Sequence, residues 1–293
     1  MNTQYLFPKK WPAIGIIFLS LVLPFTLAYL FIYIIHPGQN PLAEQNRIVI
    51  IGAEILIAIP AFIYAIRRNY PLKPLFRLRT IPFRIIGFTL FIGISTAILS
   101  DEFDRLITMI LHPPDWLTQS AEQFRITTLG DFLLLFGGIA ILSPISEEFL
   151  FRGFLQTTLE FRTQDVTKAI LTTALAFALV HMNAWWIIQI YLFGIILSYL
   201  SWRSQSILPG IIVHMCINGM SIGLTNLQIR NQLNWYTLGD HVSPVWLVIS
   251  GLAMYYGFQG FNKYYPLNNR ESETILPRGQ TDLSTQPGSG RTN

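Results

Sequence analysis

The stretch "GDFLLLFGGIAILSPISEEFLFRGF", residues 130–154, combines an apolar run typical of a membrane-spanning helix with two adjacent glutamates and an arginine. An ionisable side chain in the middle of such a helix costs about 2.5–3.5 kcal/mol on insertion scales, so its presence usually reflects a function. Glu148 and Arg152 are four residues apart and therefore share one helix face. The stretch predicts a helix inside a bilayer that carries a polar site.

The composition of the whole chain agrees with this interpretation. Of 293 residues, 52% are hydrophobic and 12% are charged, which is about half the charged share of a soluble domain. Apolar runs of about 20 residues recur, and that length lets a helix cross a bilayer. The single cysteine, Cys216, excludes an internal disulfide framework and a CxxC metal site. We therefore expect an all-α, polytopic membrane protein.

The apolar runs predict about eight transmembrane helices. The stretch 101–129 is too polar to span, and we expect an outer loop or an interfacial helix there. Residues 1–265 are predicted to form a single membrane domain, and residues 266–293, rich in Ser, Thr, Gly and Pro, a disordered cytosolic tail. The predicted spans are 12–35, 48–66, 82–100, 130–160, 168–186, 186–202, 207–227 and 243–261.

The basic residues predict the orientation in the membrane. The segment 67–84 holds six Lys and Arg residues and no acid, so by the positive-inside rule it faces the cytosol. Alternating outward from it places both termini in the cytosol, and we expect the plasma membrane of a prokaryote. Because the net charge of +4 is explained by topology, nucleic acid is not expected as a partner. Outside that segment, the inner side collects Lys9, Lys10, Arg162, Lys168, Arg203 and Lys263, and the outer side keeps Arg47, Arg105, Arg125 and Arg230.

Polar residues on three different spans are predicted to lie at a similar depth. Glu147 is 15 residues from Arg162, His181 is 13 from Lys168, and His214 is 11 from Arg203. At 1.5 Å per residue, these separations are about 22, 20 and 16 Å from the inner basic residues. Such agreement favours a convergent site over scattered structural polar groups. The candidate set is Glu147, Glu148, Arg152, His181, His214 and Asn218.

Water activation is the chemistry that such a site offers. A carboxylate that is desolvated among apolar walls becomes a stronger base, which suits Glu147 to take a proton from water, with His181 sharing or orienting that water. Glu148 points elsewhere because adjacent helical residues diverge by about 100°, so it is predicted to pair with Arg152. Pro144 is predicted to kink the helix, since it has no N–H for the Ala140 carbonyl.

The residues His214 and Asn218 are also one helical turn apart. They are predicted to present two hydrogen-bond donors on one face, suited to a developing oxyanion.

Three short motifs carry a resemblance to a known family. In order, "EEFLFR" (147–152), "FALVH" (177–181) and "HMCIN" (214–218) resemble the EExxxR, FxxxH and HxxxN motifs of the CAAX prenyl protease and bacteriocin-processing (CPBP, or Abi) family. The resemblance covers residues 130–228 and implies a polytopic intramembrane endopeptidase. It implies that all six candidate residues are essential, and that peptides or lipidated proteins, such as prenylated CAAX proteins, are the substrates.

Metal use stays open at this stage. Glu147, His181 and His214 would form a normal catalytic zinc set, and the family is often labelled metalloprotease. The sequence has no HExxH motif, however, and Asn218 one turn from His214 suits an oxyanion site better than a metal shell. The glutamate-and-water mechanism is favoured, with Zn²⁺ as the alternative and no cofactor assigned firmly.

Other classes of function also remain as alternatives. "GMSIG", residues 219–223, satisfies G-x-S-x-G, so Ser221 is a candidate nucleophile of a rhomboid-like serine protease. Intramembrane charges also occur in transporters, and a member of the family could be a catalytically silent scaffold. Glu54, in the second span, either snorkels or hydrogen-bonds a neighbouring helix, or it lines the substrate cavity.

The predicted orientation can be tested by site-directed labelling. Tags at residue 75 and at the C-terminus should be protected from a membrane-impermeant reagent in intact cells, because both are expected in the cytosol. Tags near residues 118 and 235 should be labelled. Labelling of residue 75 from outside would contradict the orientation.

Overall fold

The computed structural model describes residues 7–38, 46–112, 114 and 123–267. These residues form helices, together with a short antiparallel hairpin that pairs Thr237–Leu238 with His241–Val242. The helices are α1 (Lys10–Ile35), α2 (Arg47–Ile55), α3 (Ile59–Arg67), α4 (Leu72–Leu75), α5 (Phe83–Ile110), α6 (Leu129–Thr163), α7 (Val166–Val180), α8 (Ile187–Ser204), α9 (Leu208–Ile229) and α10 (Pro244–Tyr264).

The all-α, polytopic membrane class is confirmed. Within the described residues, six segments are long and apolar enough to cross a membrane, namely α1, α2 with α3, α5, α6, α8 and α9. Helix α7 is apolar but has only 15 residues, and α10 is not among the six. Each of the eight predicted spans therefore corresponds to helical structure, but the count of eight membrane crossings is not confirmed.

The outer end of α5 differs from the prediction. Residues 101–110 continue α5 instead of forming a loop or a separate interfacial helix, because the polar side chains there find partners. Glu102 accepts hydrogen bonds of 2.7 Å from His241 Nδ1 and from the Val242 N–H. Residues 113 and 115–122 of the predicted outer segment lie outside the described residues, and so does the predicted tail beyond residue 267.

The second span is broken in the middle. Helix α2 ends at Ile55, a turn covers residues 56–58, and α3 begins at Ile59 with Pro60 in its first turn. Proline has no N–H to donate and fits best at the start of a helix. The Ala58 N–H donates instead to Ser146 Oγ at 3.2 Å. The break is thus stabilised by a contact with α6.

Helix α6 is not a uniform α-helix. Its residues 133–142 and 149–156 are π-helical, and the α-helical turn Ser143–Glu148 lies between them. The Ser143 N–H donates to the Gly138 carbonyl, five residues back. Near Pro144, where the sequence predicts a kink, the helix changes from π-helical to α-helical hydrogen bonding. A π-helical turn holds an extra residue and re-aims the side chains after it, which is why such turns often occur at functional sites.

Three arginines at or near helix ends donate hydrogen bonds to distant backbone carbonyl groups, and these contacts fall into two sets. Arg162 donates to the carbonyl groups of Phe7 and Pro8, at the start of the described chain. Arg47 donates to the carbonyl of Gln123, and Arg230 to that of Ile126. The residues that contact one another are those that the sequence assigned to the same side of the membrane. Which side is cytosolic stays a prediction.

The distribution of buried and exposed side chains fits a lipid environment. The main buried cluster contains residues from Phe7 to Phe261, with Phe151 and Phe154 of α6 among them. Helix α1 exposes large apolar side chains such as Phe18 and buries small residues such as Ala13. Small residues allow helices in a membrane to approach closely, whereas large apolar side chains face lipid without cost.

A close approach between α2 and α6 gives a test of this packing. A Cβ added at Gly138 would lie 2.5 Å from Ile51 Cγ2, whereas a Cβ at the neighbouring Gly137 would meet nothing within 4 Å. Gly138→Ala should therefore lower the free energy of unfolding by about 1–3 kcal/mol, measured as thermal unfolding in detergent. Gly137→Ala is the matched control. Equal melting temperatures would contradict the α2–α6 contact.

Candidate active site

The two adjacent glutamates of α6 point to different partners. Glu148 and Arg152 are fully buried, and Arg152 Nη1 donates to Glu148 Oε1 at 2.7 Å. His214 Nδ1, on α9, lies 3.1 Å from the same carboxylate oxygen. The predicted ion pair is therefore confirmed, and its carboxylate also holds a histidine of the candidate set.

Arg152 is fixed by two further contacts. Its Nη2 donates to the Gly194 carbonyl of α8 at 3.3 Å, and its guanidinium carbon lies 4.1 Å from the centre of the Phe177 ring. A desolvated cation–π contact contributes about 2 kcal/mol. The Phe177 ring also lies 4.7 Å from the His181 ring and 5.7 Å from the His214 ring. Through the contacts of Arg152 and Phe177, helices α6, α7, α8 and α9 meet around the buried guanidinium group.

Glu147 faces the opposite direction, towards α2. Its Oε1 lies 2.8 Å from Ser143 Oγ, one turn earlier in α6. Its Oε2 is buried and has no hydrogen-bond partner among the described residues. The same Ser143 hydroxyl lies 2.7 Å from Glu54 Oε1. Glu148 Oε2 is likewise buried without a partner among the described residues, so the two glutamates differ in what their Oε1 atoms bind: Glu148 binds a cation, whereas Glu147 binds a neutral hydroxyl. The contact with a neighbouring helix predicted for Glu54 as one alternative is present.

His181 lies at the end of a helix rather than inside one. Helix α7 ends at Val180, so the predicted span 168–186 is too long at its outer end. The chain turns at Met182, whose φ is +47°, and the Asn183 side chain accepts from the backbone of Trp185. His181 Nδ1 lies 2.7 Å from the Phe177 carbonyl. Since a carbonyl only accepts, Nδ1 carries the hydrogen, and Nε2 of the neutral ring is left to bind water.

The indole groups of Trp185 and Trp186, in the turn after His181, both donate to Asp104 Oδ1 on α5, at 3.1 and 2.9 Å. These contacts hold the end of α7 against the outer end of α5. The position of His181 is therefore set partly by residues far away in the sequence.

The two predicted oxyanion donors on α9 already form hydrogen bonds with other protein groups. His214 is buried and donates its Nδ1 hydrogen to Glu148, so it can donate again only when both ring nitrogens are protonated. Asn218 Nδ2 donates to the Ile139 carbonyl in the first π-helical segment at 3.1 Å. An amide nitrogen has two hydrogens, which leaves one for a ligand. Asn218 is the better placed donor of the two.

The zinc set considered from the sequence does not come together as a ligand set. Among the described residues, no group of three His, Cys, Asp or Glu side chains is placed to hold a metal ion. Nδ1 of His214 is occupied by Glu148, and Glu147 is bonded to Ser143. These residues do not fit a zinc shell as arranged here, so no step of the mechanism is derived through a metal. Zinc dependence itself stays untested.

Ser221 does not resemble an activated nucleophile. It is exposed on α9, and no hydrogen bond joins it to a histidine within the described part of the chain. A nucleophilic serine needs a base within about 2.6–3.2 Å. The arrangement therefore favours the glutamates over the serine.

Comparison with known families gives one match. Residues 129–220 match the family model described as "Type II CAAX prenyl endopeptidase Rce1-like". This match supports membership of the CPBP family over these residues. The matched segment contains all six candidate residues of the CPBP motifs, whereas Glu54 lies outside it. Neither the comparison with curated proteins nor that with solved structures gives a match.

Two residues of this site were missed or left undecided by sequence reasoning. Ser143 carries no motif signal beyond its position four residues before Glu147, which places it on the same helix face. Glu54 was recognised as unusual, but its partner on another helix could not be named from the sequence.

A glycine on α9 tests the buried ion pair. A Cβ at Gly210 would lie 2.6 Å from Glu148 Oε2, and Glu148 cannot move away because Arg152 and His214 hold it. Gly210→Ala should cost about 1–3 kcal/mol of stability and lower activity. Gly223→Ala, on the same helix with nothing within 4 Å of the added Cβ, is the control. Melting temperature and peptide release check both variants, and wild-type behaviour of Gly210→Ala would contradict the packing.

Proposed function

We propose that this protein is an intramembrane endopeptidase that hydrolyses a peptide bond with water activated by Glu147 and His181. The proposed substrates are prenylated CAAX-type or other membrane-associated peptides, cut near the C-terminus. The observation that carries the proposal is the division of the two glutamates. Glu148 is bonded to Arg152 and His214 through Oε1, whereas Glu147 is bonded to the neutral hydroxyl of Ser143. Each has a buried Oε2 without a partner among the described residues, but that of Glu147 belongs to the carboxylate that no cation holds.

The first step is the attack of water on the peptide carbonyl. The water donates one hydrogen bond to Glu147 Oε2, a buried oxygen without a partner among the described residues, and another to His181 Nε2, the ring nitrogen that does not bond the Phe177 carbonyl. As the oxygen of the water bonds to the carbonyl carbon, its proton passes to Glu147. A positioned general base of this kind contributes about 10²–10⁴-fold to the rate.

The second step is the collapse of the tetrahedral intermediate. The free hydrogen of Asn218 Nδ2 donates to the oxyanion, a contact that is usually worth about 2.7–4 kcal/mol. The carbon–nitrogen bond then breaks, and Glu147 returns its proton to the leaving amine. The products are a carboxylic acid and an amine, which then exchange a proton to give a carboxylate and an ammonium group, and Glu147 ends the cycle ionised, as it began.

The membrane setting supports a lipid-attached substrate. The outer faces of the helices expose large apolar side chains, such as Phe18, Phe91 and Ile188. A peptide that is anchored by an isoprenoid chain reaches an intramembrane site by diffusing in the bilayer plane. The proposed orientation has both termini in the cytosol, so a CAAX-type C-terminus would enter from the cytosolic side.

The two glutamates should differ when each is changed to glutamine. Glu147→Gln removes the base and should lower peptide release by at least about 10²-fold with normal folded yield. Glu148→Gln should lower both activity and folded yield, because Arg152 is left buried without its counter-charge. The assay is the release of the C-terminal fragment from a prenylated CAAX peptide by purified protein in lipid nanodiscs.

Ser221→Ala is the matched control in this assay and should keep most activity. Labelling of Ser221 by a fluorophosphonate, or full activity of Glu147→Gln, would contradict the proposed mechanism. Complete and zinc-reversible inhibition by a chelator would make Glu147 a partner of a metal. No cleavage of any lipidated peptide by wild-type protein would favour a transporter or a silent scaffold.

A further inference from the structure

Glu54 is brought to the active site by a part of the chain outside the matched family segment. It lies on α2, one residue before that helix ends. The contacts of α2 with α6 fix its register, since Ile51 packs against Gly138 and the Ala58 N–H donates to Ser146 Oγ. Glu54 lies between these two contacts, opposite Ser143. The position of Glu54 is therefore set by the packing of α2 against α6 and does not depend on the side-chain rotamer alone.

The hydrogen bonds around Ser143 require a proton on one of two carboxyl groups. Ser143 Oγ is buried and lies 2.7 Å from Glu54 Oε1 and 2.8 Å from Glu147 Oε1. A hydroxyl has a single hydrogen to donate. It can donate to one carboxylate, and the other oxygen at this distance must donate to it. Only a protonated carboxyl group can do so.

The charges of the region favour the same arrangement. Glu54 and Glu147 also interact with each other directly, and two carboxylates that share one site do not readily ionise together. With one shared proton, the pair carries a single negative charge. The neighbouring Glu148 is neutralised by Arg152. A smaller net charge lowers the cost of placing these groups inside a bilayer.

We propose that Glu54 is a positioning residue of the active site, which holds a proton and donates it to Ser143, while Ser143 donates to Glu147. This assignment rests on the proposed function. Glu147 is then the ionised member of the pair. Its Oε1 is held by Ser143, and its Oε2 is directed to the water. During turnover Glu147 takes one proton from water and passes it to the leaving amine, so the pair begins and ends with one proton.

The pH dependence follows from the loss of the shared proton. When Glu54 ionises at alkaline pH, it no longer donates to Ser143, and its charge repels that of Glu147. Activity should therefore fall on the alkaline side. His181, which follows α7, acts on Glu54, and Arg152 on α6 acts on Glu147. Next to them, Glu148 on α6 bonds Arg152, and His214 on α9 bonds Glu148. The test leaves all four unchanged.

Three variants separate this role from a structural one. In Glu54→Gln the amide still donates to Ser143 but cannot ionise, so activity at neutral pH should stay within about threefold of wild type. The alkaline limb of its kcat profile should move up by about one pH unit or more. Glu54→Leu and Ser143→Ala should lower kcat by about 10- to 100-fold, with little change in KM, because they remove a hydrogen bond to a charged group.

Glu102→Gln is the matched control, since Glu102 is a partly buried glutamate at the far end of α5 that bonds His241. Its pH profile should match wild type. An unchanged alkaline limb in Glu54→Gln, or a loss of activity equal to that of Glu54→Leu, would overturn the proposal. If Glu54→Leu does not fold, the pH profile of kcat for Glu54→Gln still tests the proposal.

Infrared spectroscopy tests the shared proton without any assay of proteolysis. Wild-type protein at neutral pH should show the carbonyl stretch of a protonated carboxyl group, and raising the pH should remove it. Glu54→Gln should lack this band. Absence of the band in wild type would overturn the proposal even if Glu147→Gln confirms the protease mechanism. A band that behaves as expected, in a protein that cleaves no peptide, would support the proton-sharing pair and count against the proposed function alone.

Discussion

The buried ion pair between Glu148 and Arg152 is the interaction on which the rest of the site depends. Removing one partner of such a pair leaves an uncompensated charge and usually costs about 3–5 kcal/mol. The surrounding helices are therefore arranged to keep both groups bonded. Helix α7 places Phe177 over the guanidinium, α8 offers the Gly194 carbonyl, and α9 brings His214 to the carboxylate. The positions of these groups therefore follow from the need to give the buried charges of Glu148 and Arg152 bonding partners.

The division of work between adjacent glutamates follows from that constraint. Because neighbouring side chains on a helix point in different directions, binding Arg152 with Glu148 turns Glu147 towards α2. The π-helical segments on either side of the short α-helical turn adjust the direction of these side chains. Asn218 holds the first of these segments by its bond to the Ile139 carbonyl. Glu148 is therefore held in an ion pair, whereas Glu147, which bonds a neutral hydroxyl, is the proposed base.

The site also extends beyond the segment that carries the family match. Helices α6 and α9 and the end of α7 supply the six motif residues, but α2 supplies Glu54, whose carboxyl group reaches Ser143. The break between α2 and α3 brings the Ala58 N–H to Ser146 and fixes α2 along α6. The amino-terminal half of the protein thus does more than anchor the chain in the membrane. It completes the surroundings of the proposed base.

The sequence by itself determined the membrane class, the approximate helices and the identity of the six motif residues, because apolar length and i,i+4 spacing are local properties. It also predicted the Glu148–Arg152 pair, which lies within one turn of one helix. Only the tertiary structure decided that Glu148 binds His214, that Asn218 bonds the Ile139 carbonyl, and that Glu54 meets Glu147 through Ser143. The contacts Glu148–His214, Asn218–Ile139 and Glu54–Ser143 join residues more than 60 positions apart. The packing of neighbouring helices, which no local pattern encodes, sets the register between them.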